Sequence, residues 1–94
     1  MILLTLILTC SFHIVDVPPQ AGFGYTWFQL VPDDNCSGPP YEVVEHNGFD
    51  AIAQEHHGEW FVIAAGPEGT YTLCVKNNQD LTVCRDIKLP GYCK

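Results

Sequence analysis

Short runs of strand-forming residues alternate with turn residues over most of the chain. Aromatic and branched side chains fill "YTWFQLV", "YEVVEH", "FDAIAQ", "EWFVIAA", "TYTLCVK" and "LTVCRDIKL". Between the second and third runs lies Asn47-Gly48, a dipeptide typical of the type I′ turn of a β-hairpin. The pattern predicts an antiparallel meander of roughly four to six strands whose neighbours follow chain order.

The expected fold class is α+β but mainly β, with an all-β sandwich or barrel as the alternative. A helix beginning at Pro18 and Pro19 competes with the strand over "YTWFQLV". Gly22 and Gly24 would lie inside that helix and would destabilise it by about 1 kcal/mol each, so the strand is favoured.

The chain begins with the largely apolar run "MILLTLILTCSFHIV". The run is too short to span a bilayer and is typical of a secretory signal, with Thr9 and Ser11 as small residues near a cleavage site. A buried first strand is the alternative. We expect a signal peptide and irregular segment over residues 1–20, and a single disulfide-stabilised domain over residues 21–94.

The cysteine count supports secretion. If the signal removes Cys10, four cysteines remain, an even number that suggests two disulfides in an oxidising compartment. A hairpin register that places Cys74 beside Cys84 would leave Cys36 to pair with Cys93. The alternative set joins Cys36 to Cys74 and Cys84 to Cys93.

The charge is strongly acidic and unevenly distributed. The net charge is −7, and no Lys or Arg precedes Lys76. A binding surface for DNA or for an anionic membrane needs a basic face, so neither partner is expected for the mature protein. We expect a monomer without a cofactor.

The stretch "EHNGFDAIAQEHHGEW" concentrates histidines and carboxylates. A regular strand from Phe49 to His56 would span roughly 23 Å, so His46 and His56 would lie too far apart to share a metal. His56 and His57 are adjacent and would point to opposite faces of a strand. No metal site is expected. No G-x-S-x-G elbow or phosphate-binding glycine loop occurs either.

The order "PPYEVVEHNGFD", "GEWFVIAAG", "LCVKNNQDLTV" and terminal "GYCK" resembles the guanyl-specific fungal ribonucleases over residues 39–93. The resemblance implies a sheet packed on one helix and aligns Glu59 with the family's catalytic glutamate. Where the family has its other catalytic groups, this chain has Tyr41 for the first histidine, Thr72 for the arginine, and Asp86 or Ile87 for the acid histidine.

Without those groups, RNA cleavage lacks the acid and the cations that it needs. The resemblance therefore implies a catalytically degenerate protein, similar to the secreted ribonuclease-like effectors of plant-pathogenic fungi, which bind a host protein or RNA and can enter host cells. Glu59 would be a vestigial catalytic residue, and Tyr41 and Trp60 would contact the partner. The alternatives are an active guanyl-preferring ribonuclease and a small toxin or hydrolase inhibitor.

Overall fold

A computed structural model provides the structure of the protein and describes residues 10–17, 25–34, 36 and 38–91. These residues form strands and no helix. The strands are β1 (Phe12–Asp16), β2 (Thr26–Pro32), β3 (Glu42–Glu45), β4 (Asp50–His56), β5 (Glu59–Ala65), β6 (Gly69–Lys76) and β7 (Thr82–Leu89). The mainly β prediction is confirmed. The helix expected for an α+β fold does not appear in the described residues, and its proposed start at Pro18 and Pro19 lies outside them.

The strands form two antiparallel sheets. Sheet A has the order β1-β2-β5-β4, and sheet B has the order β3-β6-β7. The neighbours predicted from chain order are therefore right for two pairs, β4 with β5 and β6 with β7. The pairing of β1 with β2 was not predicted, because residues 12–16 were assigned to the signal segment. They are wrong elsewhere, because β2 pairs with β5 and β3 pairs with β6.

The core lies between the two sheets. Sheet A contributes Phe12, Ile14, Phe28, Leu30, Val62 and Ala64, and sheet B contributes Leu73, Val75, Ile87 and Leu89, with Tyr41 and Phe49 from the connecting segments. Alternation explains this selection, since every second side chain of a strand points to the same face. Burial of these apolar groups is the main favourable contribution to folding.

The predicted hairpin at Asn47-Gly48 is wrong. The strands on either side, β3 and β4, belong to different sheets, so this turn carries the chain from sheet B to sheet A. Gly48 has a φ of 87°, but Asn47 is not in the left-handed region that a type I′ turn requires. Phe49 is instead buried in the core, with its ring centroid 5.0 Å from that of Tyr71.

The N-terminal boundary also differs from the prediction. Residues 12–16 form β1, which pairs along its length with β2, and Phe12 and Ile14 are buried. Within the segment predicted as signal peptide and irregular entry, residues 12–16 therefore form the buried first strand that was the alternative prediction. Residues 1–9, which contain the rest of the predicted signal, lie outside the described part of the chain.

Two disulfides join the described residues. Cys74 bonds to Cys84 across the β6-β7 pair, as the hairpin register predicted. Cys36 bonds to Cys10, so the predicted pairing of Cys36 with Cys93 is wrong. The error came from assigning Cys10 to the removed leader. Cys93 itself lies outside the described residues.

Candidate functional site

The β4-β5 hairpin determines where Glu59 lies. His56 pairs with Glu59, and the two-residue turn between them is formed by His57 and Gly58, with φ values of 53° and 82°. Two successive residues with positive φ are the signature of a type I′ turn, whose twist matches that of the strands. Glu59 is consequently held at the exposed end of β5, beside the turn.

Tyr41, by contrast, is buried. Only 5% of the residue is exposed, and its ring packs against Phe12 and Trp60 with centroid distances of 4.9 and 5.7 Å. Its hydroxyl occupies the space that a side chain at Gly38 would need, and it has no hydrogen-bond partner among the described residues. Burial raises the pKa of Tyr41, and the nearby negative charge of Asp33 raises this pKa further.

The three predicted site residues meet at one cleft. Tyr41, Glu59 and Trp60 line a cavity of about 220 Å³ whose other walls are Gln29, Leu30, Val31, Pro32, Pro39 and Gly58. The indole Nε1 of Trp60 is buried here, and no group in the described part of the chain hydrogen-bonds to it. Glu59 is the only ionisable carboxylate among these lining residues, which include no Lys, Arg or His.

The remaining positions of the ribonuclease resemblance are not brought to this cleft. Thr72 and Asp86 pair directly across β6 and β7, and the Thr72 hydroxyl donates to Asp86 Oδ1 at 3.1 Å. Both are exposed residues of sheet B, whereas Glu59 belongs to sheet A. The cleft thus offers one carboxylate without a cationic group, and a carboxylate repels a phosphate.

No metal centre is formed by the part of the chain that the structure describes. No group of three His, Cys, Asp or Glu side chains there is arranged to hold an ion. His46 Nδ1 lies 3.1 Å from the carbonyl oxygen of Phe49, and His56 Nε2 lies 3.1 Å from Gln54 Oε1. These hydrogen bonds of His46 and His56 therefore stay within the local turn or strand.

A second candidate site is the outer face of sheet A, the face turned away from the core. The strand register places six apolar side chains on it: Val15, Trp27, Val31, Ile52, Phe61 and Ile63. Trp27 pairs with Ile63, which in turn pairs with Ile52, so these three form a row across the sheet. Val15, Val31 and Ile52 are exposed by 37%, 36% and 56%.

Aromatic contacts order one end of this face. The ring of Trp27 lies 5.3 Å from that of His56 and 5.6 Å from that of Phe61, measured between centroids. Polar groups surround the apolar centre. His56 and Glu59 lie at the hairpin end, and His13 on β1 lies with its Nε2 2.9 Å from Asp33 Oδ1. An apolar centre with a polar rim is the usual anatomy of a protein interface.

The outer face of sheet B has a different composition. It carries Thr70, Thr72, Thr82, Asp86 and Lys88, together with the Cys74–Cys84 disulfide. Such a face is the normal solvated side of an antiparallel sheet. The contrast between the two faces shows that the apolar side chains of sheet A are not a general feature of this protein's surface.

Charge follows the same division between the sheets. The strands of sheet A contain Asp16, Asp50, Glu55 and Glu59 and no Lys or Arg. The strands of sheet B contain Lys76, Arg85 and Lys88 together with Glu42, Glu45 and Asp86. The outer face of sheet A therefore combines apolar side chains with acidic surroundings, an arrangement that suits a partner with apolar and cationic groups.

The local patterns of the sequence did not predict this face, because it depends on which strands pair. A signal for it exists in β5, where "WFVIAA" is continuously apolar, and in β2, where Gln29 is the one polar residue between Trp27 and Pro32. A strand with one solvated face alternates apolar and polar residues, whereas a continuous run indicates that both faces are covered. In the described residues, the core covers one face and nothing covers the other.

No protein-family model, curated protein or solved structure matches this chain. The likeness to the ribonucleases therefore rests on the short sequence matches alone. Among the described residues, no helix is long and apolar enough to cross a membrane.

Proposed function

We propose that this is a secreted, non-catalytic binding protein that recognises a partner protein through the outer face of sheet A. The observation that carries the proposal is the row Trp27, Ile63 and Ile52, which crosses this face and ends in a side chain that is 56% exposed. Contiguous exposed apolar patches on small proteins mark interaction sites. The two disulfides are consistent with an extracellular protein.

The acidic surroundings define the chemistry of the partner. No Lys or Arg lies on the strands of sheet A, so a cationic partner meets complementary charge at the rim while its apolar groups cover the centre. RNA is a poor fit, because its phosphates would face carboxylates. If the resemblance to the secreted fungal effectors holds, this partner is a protein of the host.

Cleavage of RNA is the second candidate function, and the position of Glu59 at the cleft with Tyr41 and Trp60 is what favours it. A base without an opposing acid would make cleavage slow. Incubation of the purified protein with guanosine-containing RNA tests this candidate, with Glu59→Gln as control. Cleavage that Glu59→Gln abolishes would establish an active ribonuclease and contradict the non-catalytic proposal.

Site-directed photo-cross-linking tests the proposed surface. Benzoylphenylalanine is introduced at Ile52 on the outer face of sheet A or at Thr72 on the outer face of sheet B, both exposed positions. The proposal predicts a discrete adduct in the protein's own extracellular medium from position 52 only, competed by excess unlabelled protein. Equal adducts from both positions, or none from position 52, would contradict it.

A further inference from the structure

We infer that the partner binds as an extended strand added to the free edge of β4. This inference rests on the proposed function and specifies how the partner engages the same surface. In the part of the chain that the structure describes, β4 pairs only with β5. An edge strand presents unpaired backbone donors and acceptors, and these pair readily with an incoming strand.

The free edge of β4 is long and regular. All seven of its residues pair with β5 in an unbroken register from Asp50 opposite Ala65 to His56 opposite Glu59. Its sequence, "DAIAQEH", contains neither Lys nor Pro, and the register shows no bulge. Lysine, proline and bulges are devices by which proteins normally prevent other strands from adding to an edge, and β4 lacks all three.

The other sheet edges carry such devices. On β1, the Arg85 guanidinium donates to the carbonyl oxygen of Ile14 and to Asp16 Oδ1, both at 2.9 Å, and so covers that edge. On β3, which has only four residues, the register shifts between Val43 and Glu45. β7 carries Arg85 and Lys88 along its length. Among the described edge strands, β4 is thus the one with no lysine or arginine, no proline, no bulge and no side chain laid across its edge.

The position of β4 links its edge to the apolar face. A strand added there extends sheet A, and every second side chain of that strand would lie beside Ile52, Gln54 and His56 on the outer face. Asp50 and Glu55 on β4 and Glu59 beside it favour lysine or arginine in the partner. A second copy of this chain is disfavoured, because each copy has a net charge of −7.

The partner chemistry is therefore an extended cationic segment with alternating apolar residues. The probe is a seven-residue peptide of alternating lysine and valine with blocked ends, matched in length to β4. Calorimetric titration of the whole protein should show binding that weakens at least about tenfold when lysine is replaced by glutamate. It should weaken similarly when backbone N-methyl groups block the peptide edge that faces β4.

Two peptides, N-methylated on opposite edges, cover both orientations, and only one of them should lose binding. Ile52→Lys should weaken binding of the parent peptide at least about tenfold, because lysine protects an edge strand and repels the probe. Thr72→Lys, on sheet B opposite Asp86, is the matched control and should leave binding within about twofold.

The outcomes separate this inference from the proposed function. Unchanged binding of both N-methylated peptides, together with a cross-linked adduct from position 52, would overturn strand addition. It would still support the outer face of sheet A as the recognition face. Equal binding of the lysine and glutamate peptides would overturn the cationic chemistry of the inference. If the protein sediments as a dimer whose contact is β4, and adding the peptide does not dissociate that dimer, the inference is overturned and the occupant of the edge is a second copy of this chain.

Discussion

Cys10 and Cys36 form a disulfide that ties the residue just before β1 to the loop that follows β2. Both cysteines lie outside the paired residues of β1 and β2, so the disulfide adds a covalent link to this strand pair. The two cysteines are 26 positions apart in the sequence. The first strand is therefore a fixed part of sheet A, and with it Val15, at one end of the recognition face.

Removing this crosslink should destabilise the protein. Replacing both Cys10 and Cys36 with serine should lower the free energy of unfolding by about 3 kcal/mol, the value expected for releasing a loop of this length in the unfolded chain. Urea denaturation followed by tryptophan fluorescence measures the change. Intact-protein mass spectrometry of the secreted form should also show that Cys10 is retained, and a mature chain that begins after Cys10 would contradict the pairing.

The turn between β4 and β5 depends on glycine at position 58. Gly58 has a φ of 82° and no neighbouring atom within 4 Å of where a Cβ would lie. Gly58→Ala therefore makes no steric contact, and its cost comes only from the positive φ that alanine must adopt. We expect a loss of about 1 kcal/mol in unfolding free energy. Gly69→Ala, at a strand position without positive φ, is the control and should be neutral or slightly stabilising.

Tyr41 and Tyr71 should respond in opposite ways to loss of the hydroxyl. The buried hydroxyl of Tyr41 has no hydrogen-bond partner within the ranges that the structure describes, so Tyr41→Phe should leave stability unchanged or raise it by about 1 kcal/mol. The Tyr71 hydroxyl donates to the Pro67 carbonyl at 2.6 Å, so Tyr71→Phe should cost about 1 kcal/mol. Thermal and urea unfolding of the two variants compare them directly, and a destabilised Tyr41→Phe would show that this hydroxyl has a partner.

Tyr41 should also make stability fall at alkaline pH. Burial favours the neutral phenol, so the pKa in the folded protein lies above the usual value of 10.0. The contribution of Tyr41 to the free energy of unfolding is complete below pH 10. It is lost as pH rises above 10, because the unfolded chain releases the phenol proton first. Unfolding free energies measured on both sides of pH 10 should fall less in Tyr41→Phe than in the parent, and an identical fall would remove Tyr41 as its source.

Asn77 should be among the most sensitive polar positions. Its residue is 3% exposed, its Oδ1 accepts from the backbone nitrogens of Gln79 and Leu81, and its Nδ2 donates to the carbonyl of Cys10. Asn77→Ala leaves these groups without their partner and should cost roughly 2 to 4 kcal/mol. The neighbouring exposed Asn78→Ala keeps its backbone bond to Gly38 and should cost under about 0.5 kcal/mol, so equal losses would contradict this role.

The strand positions could be predicted from the sequence because alternation and β-propensity act locally. The same local reasoning found the register of Cys74 and Cys84, since one hairpin determines it. It failed at Asn47-Gly48, where the dipeptide favours a hairpin but burial of Phe49 between the sheets prevails. The hairpin instead turns at His57-Gly58, where histidine adopts a positive φ that is uncommon for residues other than glycine.

The candidate site could be predicted only in fragments. Glu59, Tyr41 and Trp60 were singled out separately; Glu59 and Trp60 are neighbours on β5, and packing of Tyr41, from the segment before β3, against Trp60 brings all three to one cleft. The recognition face depends on the non-local pairing of β2 with β5, which aligns Trp27 with Ile63. Sequence spacing carries no direct signal for such contacts, so neither arrangement follows from the local pattern.

The central claim is that the outer face of sheet A is the recognition surface, and affinity for the cross-linked partner tests it most directly. With that partner purified, Ile52→Lys and Thr72→Lys are titrated in parallel with the parent protein after circular dichroism confirms that both are folded. The account predicts at least about a tenfold weaker affinity for Ile52→Lys and a change within about twofold for Thr72→Lys. Equal affinities of the two variants, or a larger loss for Thr72→Lys, would contradict it.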